Sequence, residues 1–214
     1  MLTRFSLSNI ETELKYLLSK ESFRSLYSFL NQQSSKPSLT RQINYYFASP
    51  ESPLDISPIN IRIRLKGGES EITCKIPVSG TTTDTIQNNY EYNKNISLKE
   101  AFHFIKNGLS ADTMSEIFTD MLKDHKLQPA DLTYYGLLRT ARFSFIIDED
   151  LSPLLLDVNA YLGIFDYELE WELKQVQEAD TLLQSIFQKL NISPIGQMKP
   201  KRRRFFEKLM EESQ

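Results

Sequence analysis

The chain has 214 residues, of which 40% are hydrophobic and 25% charged, with thirteen Phe and ten Tyr. That is enough apolar material for one ordinary core and excludes a disordered chain. A net charge of −3 argues against a whole-surface footprint for nucleic acid, and a lone cysteine, Cys74, rules out an internal disulfide and fits a reducing cytoplasm. No apolar run nears the roughly 20 residues that span a bilayer, and no apolar stretch follows Arg4 as in a secretory signal. Neither nucleic acid nor a membrane is expected as a partner.

In chain order, period-2 alternation predicts a first strand over Ile10–Leu18, and helical spacing predicts a helix over Glu21–Gln33. Strands follow over Gln42–Ala48 and Ile59–Lys66, joined by the Pro-rich loop from Pro50 to Pro58. Gly67-Gly68 is a two-residue hairpin signal that pairs Ile59–Lys66 antiparallel with a strand over Glu71–Val78. After a loop from Gly80 to Thr85 comes a strand over Gln87–Asn93. Helices are then predicted over Leu98–Asn107, with a Ser97/Glu100 capping box and Gly108 at its end, and over Thr113–His125, with a Thr113/Glu116 box. Three further strands cover Thr133–Ile147, Leu154–Ala160 and Phe165–Lys174, with turns at Leu151-Ser152-Pro153 and Leu162-Gly163. Helices over Val176–Leu190 and about 202–212 close the chain. The class is α+β, and the reading is one domain over 1–214 with a helical insertion at about 97–126.

The strands carry charges in ordered rows. Glu11, Glu13 and Lys15 lie at i, i+2 and i+4 and share one strand face, while Thr12, Leu14 and Tyr16 take the other. Arg62 and Arg64 stand opposite Ile61, Ile63 and Leu65. Glu71, Thr73 and Lys75 make the next row, and Glu168, Glu170 and Glu172 stand opposite Tyr167, Leu169 and Trp171. A single charged row is ordinarily a solvent face whose cross-strand pairs contribute about 0.2 to 1 kcal/mol each. Four rows, sorted by sign and each backed by large apolar residues, point instead to a closed barrel with its charges inside and helices covering its outer face.

A polyionic interior is costly without a ligand, because desolvated ions lose several kcal/mol each. Lys and Arg match phosphate oxygens, and clustered carboxylates match hard cations such as Mg²⁺ or Mn²⁺. Both in one tunnel imply a divalent metal with a polyphosphate.

The residues at this point resemble a family. Glu11-Thr12-Glu13-Leu14-Lys15 is the ExExK signature of the CYTH superfamily, the triphosphate tunnel metalloenzymes. The rest of its pattern follows in order. Ile61-Arg62-Ile63-Arg64 and Thr73-Cys74-Lys75 come first, then Leu155-Leu156-Asp157, Asp166-Tyr167-Glu168-Leu169-Glu170, and Lys199-Pro200-Lys201 with Arg204. The chain looks most like the small soluble branch found in Gram-positive bacteria. The resemblance implies an eight-stranded antiparallel tunnel that hydrolyses or cyclises triphosphates with Mg²⁺ or Mn²⁺. It further implies that Lys15, Arg62, Arg64, Lys75, Arg142, Lys201 and Arg204 hold phosphate oxygens. Glu11 and Glu13 would be catalytic, and these two with Asp157, Glu168 and Glu170 would hold metal or position water, Asp157 being either a ligand or the tether of a basic neighbour. Glu91 aligns loosely.

The run from Lys199 to Arg204 would be a tunnel lid with Arg202 and Arg203 solvated, and Arg139, of opposite parity to Arg142, would lie outside. His103 and His125 read as helix-surface residues, Cys74 as a packed thiol and Trp171 as an outer-face core residue. Class IV adenylyl cyclases carry a His-Phe pair four residues before ExExK, whereas Arg4-Phe5 precedes Glu11 by five, which argues against adenine recognition. The expected substrate is inorganic tripolyphosphate. The alternatives are a thiamine-triphosphatase or cyclase and a non-catalytic polyphosphate or nucleotide sensor, in a monomer or homodimer.

Overall fold

In a computed structural model of the chain, residues 9–34, 37–50, 59–80, 83, 85–149, 151–173, 176–195 and 199–212 are described. Eight strands, β1 (Asn9–Leu18), β2 (Ser38–Ala48), β3 (Asn60–Lys66), β4 (Glu69–Pro77), β5 (Ile86–Ile96), β6 (Thr133–Phe145), β7 (Leu154–Tyr161) and β8 (Ile164–Glu172), form a closed barrel in the order β1-β5-β4-β3-β2-β6-β7-β8. Every neighbouring pair is antiparallel, so closure leaves no strand edge unpaired. The two tightest hairpins are the expected ones. Gly67 and Gly68 have φ of +60° and +89° between Lys66 and Glu69, values that glycine adopts without a Cβ penalty. Leu162 and Gly163 join β7 to β8 with φ of +43° and +73°.

Among the described residues six helices lie outside the barrel wall or at its end: α1 (Lys20–Gln33), α2 (Leu98–Asn107), α3 (Ala111–Ile117), α4 (Thr119–Asp124), α5 (Val176–Leu190) and α6 (Lys201–Glu212). The Ser19 hydroxyl caps α1 by accepting from the Ser22 amide, and Phe23, Leu26 and Leu30 form its buried stripe. That stripe packs on the outward residues Leu14, Tyr16, Leu169 and Trp171 of β1 and β8. Each fully buried side chain of this size contributes roughly 1.5 to 3 kcal/mol. On the opposite wall Met114, Phe118 and Met121 cover Ile61, Ile63, Ile72 and Cys74. The apolar sides of the charged rows therefore do face outward, under helices.

The third apolar cluster lies inside the barrel, where α6 drives Phe205 and Phe206 against Tyr46, Leu138 and Tyr161 and fills one end. Gly136 makes room for this plug, since a Cβ there would stand 2.5 Å from Phe205 Cζ.

Several sequence expectations shift. β2 begins at Ser38 because its first residues pair with β6 as far as Ser38↔Ser144. The helix expected over Thr113–His125 is two helices that break at Phe118, and its cap is Ser110, not Thr113, with the Ser110 hydroxyl accepting from the Thr113 amide. The Ser97/Glu100 box is present as expected. Arg4-Phe5, Lys174 and most of the Pro50–Pro58 loop lie outside the described residues. Among the described residues no helix is long and apolar enough to cross a membrane.

Candidate active site

Inside the barrel lies a cavity of about 360 Å³ walled by the inward residues of the strands and by the start of α6. Strand parity places its charges. Glu11, Glu13 and Lys15 come from β1, Arg62 and Arg64 from β3, Lys75 from β4, Arg142 from β6, Glu170 from β8 and Lys201 from α6, and all nine line the cavity.

One side is a lysine–carboxylate lattice. Lys15 Nζ lies 2.6 Å from Glu13 Oε2 and 3.2 Å from Glu170 Oε1. Lys75 pairs with Glu11 and Glu91 and stands 3.6 Å from Glu13. These contacts follow from register, because Lys15 faces Glu170 across β1–β8 and Lys75 faces Glu91 across β4–β5. Burial would lower the Lys15 and Lys75 ammonium groups, but Glu13 with Glu170, and Glu13 with Glu91, raise them above the usual lysine range. Burial likewise opposes the charge of Glu13 and Glu170, yet Lys15 outweighs it, helped by Lys75 at Glu13 and Lys201 at Glu170, and holds both carboxyls down. Glu11 differs. Burial, then a hydrogen bond with Glu91, pushes it up to about 8, so this pair shares one proton, which Glu11 carries. Burial would also raise Glu91, but Lys75 and the proton on Glu11 keep it ionised.

The other side is cationic. Arg64 Nε donates to Asn44 Oδ1 at 3.2 Å and its NH1 reaches Glu71 at 3.2 Å. Burial and then the neighbouring Arg62 lower its pKa to about 10, which marks a place short of negative charge. Arg62, only 9% exposed, makes no ion pair among the described residues, and its Nε has no acceptor there. A guanidinium so placed has donors free for an anion.

Three expected site residues do not reach the cavity wall. Asp157, fully buried, accepts both arms of Arg142 at 2.8 and 2.7 Å and pairs with Lys201, so it tethers two cavity bases. Glu168, also fully buried, is 2.7 Å from Arg204 and 3.4 Å from Lys201. Arg204 is held by Asp166 and Glu168 and by the Lys199 carbonyl, and fastens α6 to β8. Arg202 is half-buried over the Phe206 ring, 5.0 Å from its centroid, where a solvated residue was expected, while Arg203 is exposed and paired with Glu207. His125 packs on Tyr90 and meets the Tyr92 hydroxyl at 3.0 Å, so it joins α4 to the barrel instead of lying on a free helix surface. Arg139 is exposed, Cys74 and Trp171 are buried in the outer cores, and His103 is exposed on α2, all as expected.

Glu172, part of the Glu168/Glu170/Glu172 row, also lines the cavity, and Glu91, which no charge row contains, enters through its register with Lys75. Tyr46, Asn44, Gln42, Gln87 and Asn89 are neutral and leave no signal distinguishable from ordinary strand polarity.

Among the described residues no three His, Cys, Asp or Glu side chains stand in metal-holding geometry. The donor chemistry nevertheless fits a hard cation. Glu11, Glu13, Glu91, Glu170 and Glu172 offer only carboxylate oxygens to one cavity, and the proton shared by Glu11 and Glu91 occupies a place where a cation would relieve like charge.

Residues 9–205 match the CYTH domain. The chain is 30% identical over 200 residues to the Bacillus subtilis strain 168 protein YjbK, which is named provisionally as a triphosphatase, covering 92% of this chain and 95% of that one. A Bacillus halodurans protein, solved as a provisional adenylate cyclase, superposes with a TM-score of 0.72 at 30% identity over 94% of this chain and 100% of its own. A Hippeastrum protein, provisionally an adenylyl cyclase and described as having a dominant triphosphatase activity, gives a TM-score of 0.77 at 19% identity, over 92% of this chain and 95% of its own.

Proposed function

Because the chain belongs to the CYTH domain family, we propose that it hydrolyses triphosphates in its barrel cavity with the help of Mg²⁺ or Mn²⁺, inorganic tripolyphosphate being the preferred substrate. The observation that carries this reading is the division of one cavity into a carboxylate–lysine side and a cationic side where buried Arg62 has no carboxylate partner among the described residues. The provisional triphosphatase name of the Bacillus subtilis relative supports it.

Arg62, Arg64, Arg142, Lys15, Lys75 and Lys201 bind the phosphate oxygens, the arginines by paired donors and the lysines as point charges. Arg204 acts behind them by fixing α6, and Asp157 by orienting Arg142 and Lys201. Glu11, Glu13 and Glu170, with Glu91 and Glu172 beside them, would hold the divalent cation. Once bound, that cation polarises phosphate oxygens and offsets charge that develops on them. Water attacks the terminal phosphorus in line, the anhydride P–O bond breaks, and tripolyphosphate yields diphosphate and orthophosphate. The ionised Glu13 carboxylate accepts a hydrogen bond from that water and takes its proton. No covalent intermediate is needed, since positioning and charge stabilisation carry most of the rate in phosphoryl transfer.

The carboxylates favour turnover over simple sensing, because a receptor for a bare anion gains nothing from acids on its binding surface. A single cysteine fits a reducing, cytoplasmic site of action. Phosphate release from tripolyphosphate with Mg²⁺ or Mn²⁺, abolished by chelator, is the expected result. Release that survives the chelator would refute the metal assignment.

A further inference from the structure

Among the described residues Tyr46 is the one aromatic residue from the strands that lines the cavity, and phosphate binding by the arginines and lysines leaves it unused. It lies on β2, in register with Arg62 of β3 and Gly136 of β6. Its ring leans on the plug, with centroids 5.4 Å from Phe205 and 6.1 Å from Phe206, and the residue is 1% exposed. A buried phenol ordinarily finds a hydrogen-bond partner. Among the described residues none takes up the Tyr46 hydroxyl, although its side chain borders the cavity. The groups around it are cations. Burial pushes the phenol up, and the charges that pull against this are Arg62 first, then Lys201, Arg64 and Arg204. The hydroxyl is therefore a neutral O–H donor, set among cations and without an acceptor among the described residues.

Resting on the triphosphate reading above, we infer that Tyr46 is a substrate-binding residue whose hydroxyl donates to an oxygen of the phosphate group nearest the α6 plug. The chemistry suits that place. Arg62 and Arg64 already crowd the cationic side, and one more charge there would add repulsion in the empty cavity, whereas a phenol adds a donor without charge. The ring, braced by Phe205 and Phe206, holds that donor at a fixed position and limits how far a phosphate chain can advance toward α6.

Tyr46→Phe removes only the hydroxyl and leaves the ring on its plug. A hydrogen bond from a neutral donor to an ionised acceptor corresponds to about ten- to a hundredfold in kcat/KM for tripolyphosphate. The loss should appear mainly in KM, with an unfolding midpoint of the ligand-free protein equal to or slightly above wild type. Wild-type kcat/KM in the variant would overturn the inference. So would a lowered ligand-free midpoint, which would mean that the hydroxyl serves the fold and not the ligand. If the unaltered protein neither binds nor cleaves tripolyphosphate, the triphosphate reading itself fails, and this inference with it.

Discussion

Replacing Arg62 with Met should make the protein more stable and worse at binding, and the two effects have one cause. Arg62 is a guanidinium with 9% exposure and, among the described residues, no ion pair and no acceptor for its Nε; it lies next to Arg64, whose pKa is itself driven down by burial and by Arg62. Leaving a buried polar donor unsatisfied costs about 1 to 3 kcal/mol, and Met keeps most of the side-chain length without that cost. Arg62→Met should therefore raise the ligand-free stability by about 1 to 3 kcal/mol. For a domain of this size that is roughly 2 to 12 °C in the unfolding midpoint. The same substitution removes charge-assisted hydrogen bonds to phosphate worth about 1.5 to 3 kcal/mol, so tripolyphosphate affinity should drop by about one to two decades. Thermal unfolding of the ligand-free protein and calorimetric titration with tripolyphosphate read the two effects separately. A midpoint that falls would mean that Arg62 is compensated within the fold, and unchanged affinity would place it outside the bound chain.

Other outcomes follow from the same geometry. Glu13→Gln keeps the shape of the site but removes a charge assigned to metal and water, so phosphate release should fall by orders of magnitude while triphosphate still binds; near-normal release would refute the assignment. Gly136→Ala places a Cβ 2.5 Å from Phe205 Cζ and should destabilise the protein by about 1 to 3 kcal/mol through overpacking, seen as a lower unfolding midpoint, and an unchanged midpoint would show that the plug is loose. Because Glu11 is raised to about 8, the ligand-free site keeps a proton at pH 6 to 7 that a cation must expel. Mn²⁺ binding should release close to one proton there and fewer as pH rises through about 8, as calorimetry in buffers of different ionisation enthalpy would show. A proton count near zero at pH 6.5 would contradict that picture.

Much of the barrel was legible because its strands alternate. The apolar sides Leu14/Tyr16, Ile61/Ile63 and Leu169/Trp171 need an outer cover, so Glu11/Glu13/Lys15, Arg62/Arg64 and Glu170/Glu172 must face inward, and they do. Which of those inward residues meet a ligand was not legible. Period 2 puts Asp157, Glu168 and Glu170 inside alike, but only Glu170 lines the cavity, because α6 brings Lys201 and Arg204 down onto the other two. That helix packs through Phe205 and Phe206 from more than thirty residues downstream of β8, a long-range contact with no trace in the alternation. The break at Phe118 was hidden as well, since Met114, Phe118 and Met121 continue one helical stripe and the change shows only in the Phe118 backbone, at φ −118° and ψ 33°. Neutral liners such as Asn44 and Tyr46 carry no charge, and three-dimensional placement alone distinguishes them.

The claim that one cavity reads a chain of three phosphates is tested most directly by comparing kcat/KM for tripolyphosphate, ATP and pyrophosphate with Mg²⁺ and with Mn²⁺. Arg62 has no ion pair among the described residues and Arg64 lies where negative charge is scarce, so a chain too short to reach both leaves a cation uncompensated in a confined site, which costs several kcal/mol. Tripolyphosphate should therefore be cleaved more efficiently than ATP, and pyrophosphate should be a poor substrate or an inhibitor. Pyrophosphate matching tripolyphosphate, or ATP turned over to cyclic AMP, would contradict it.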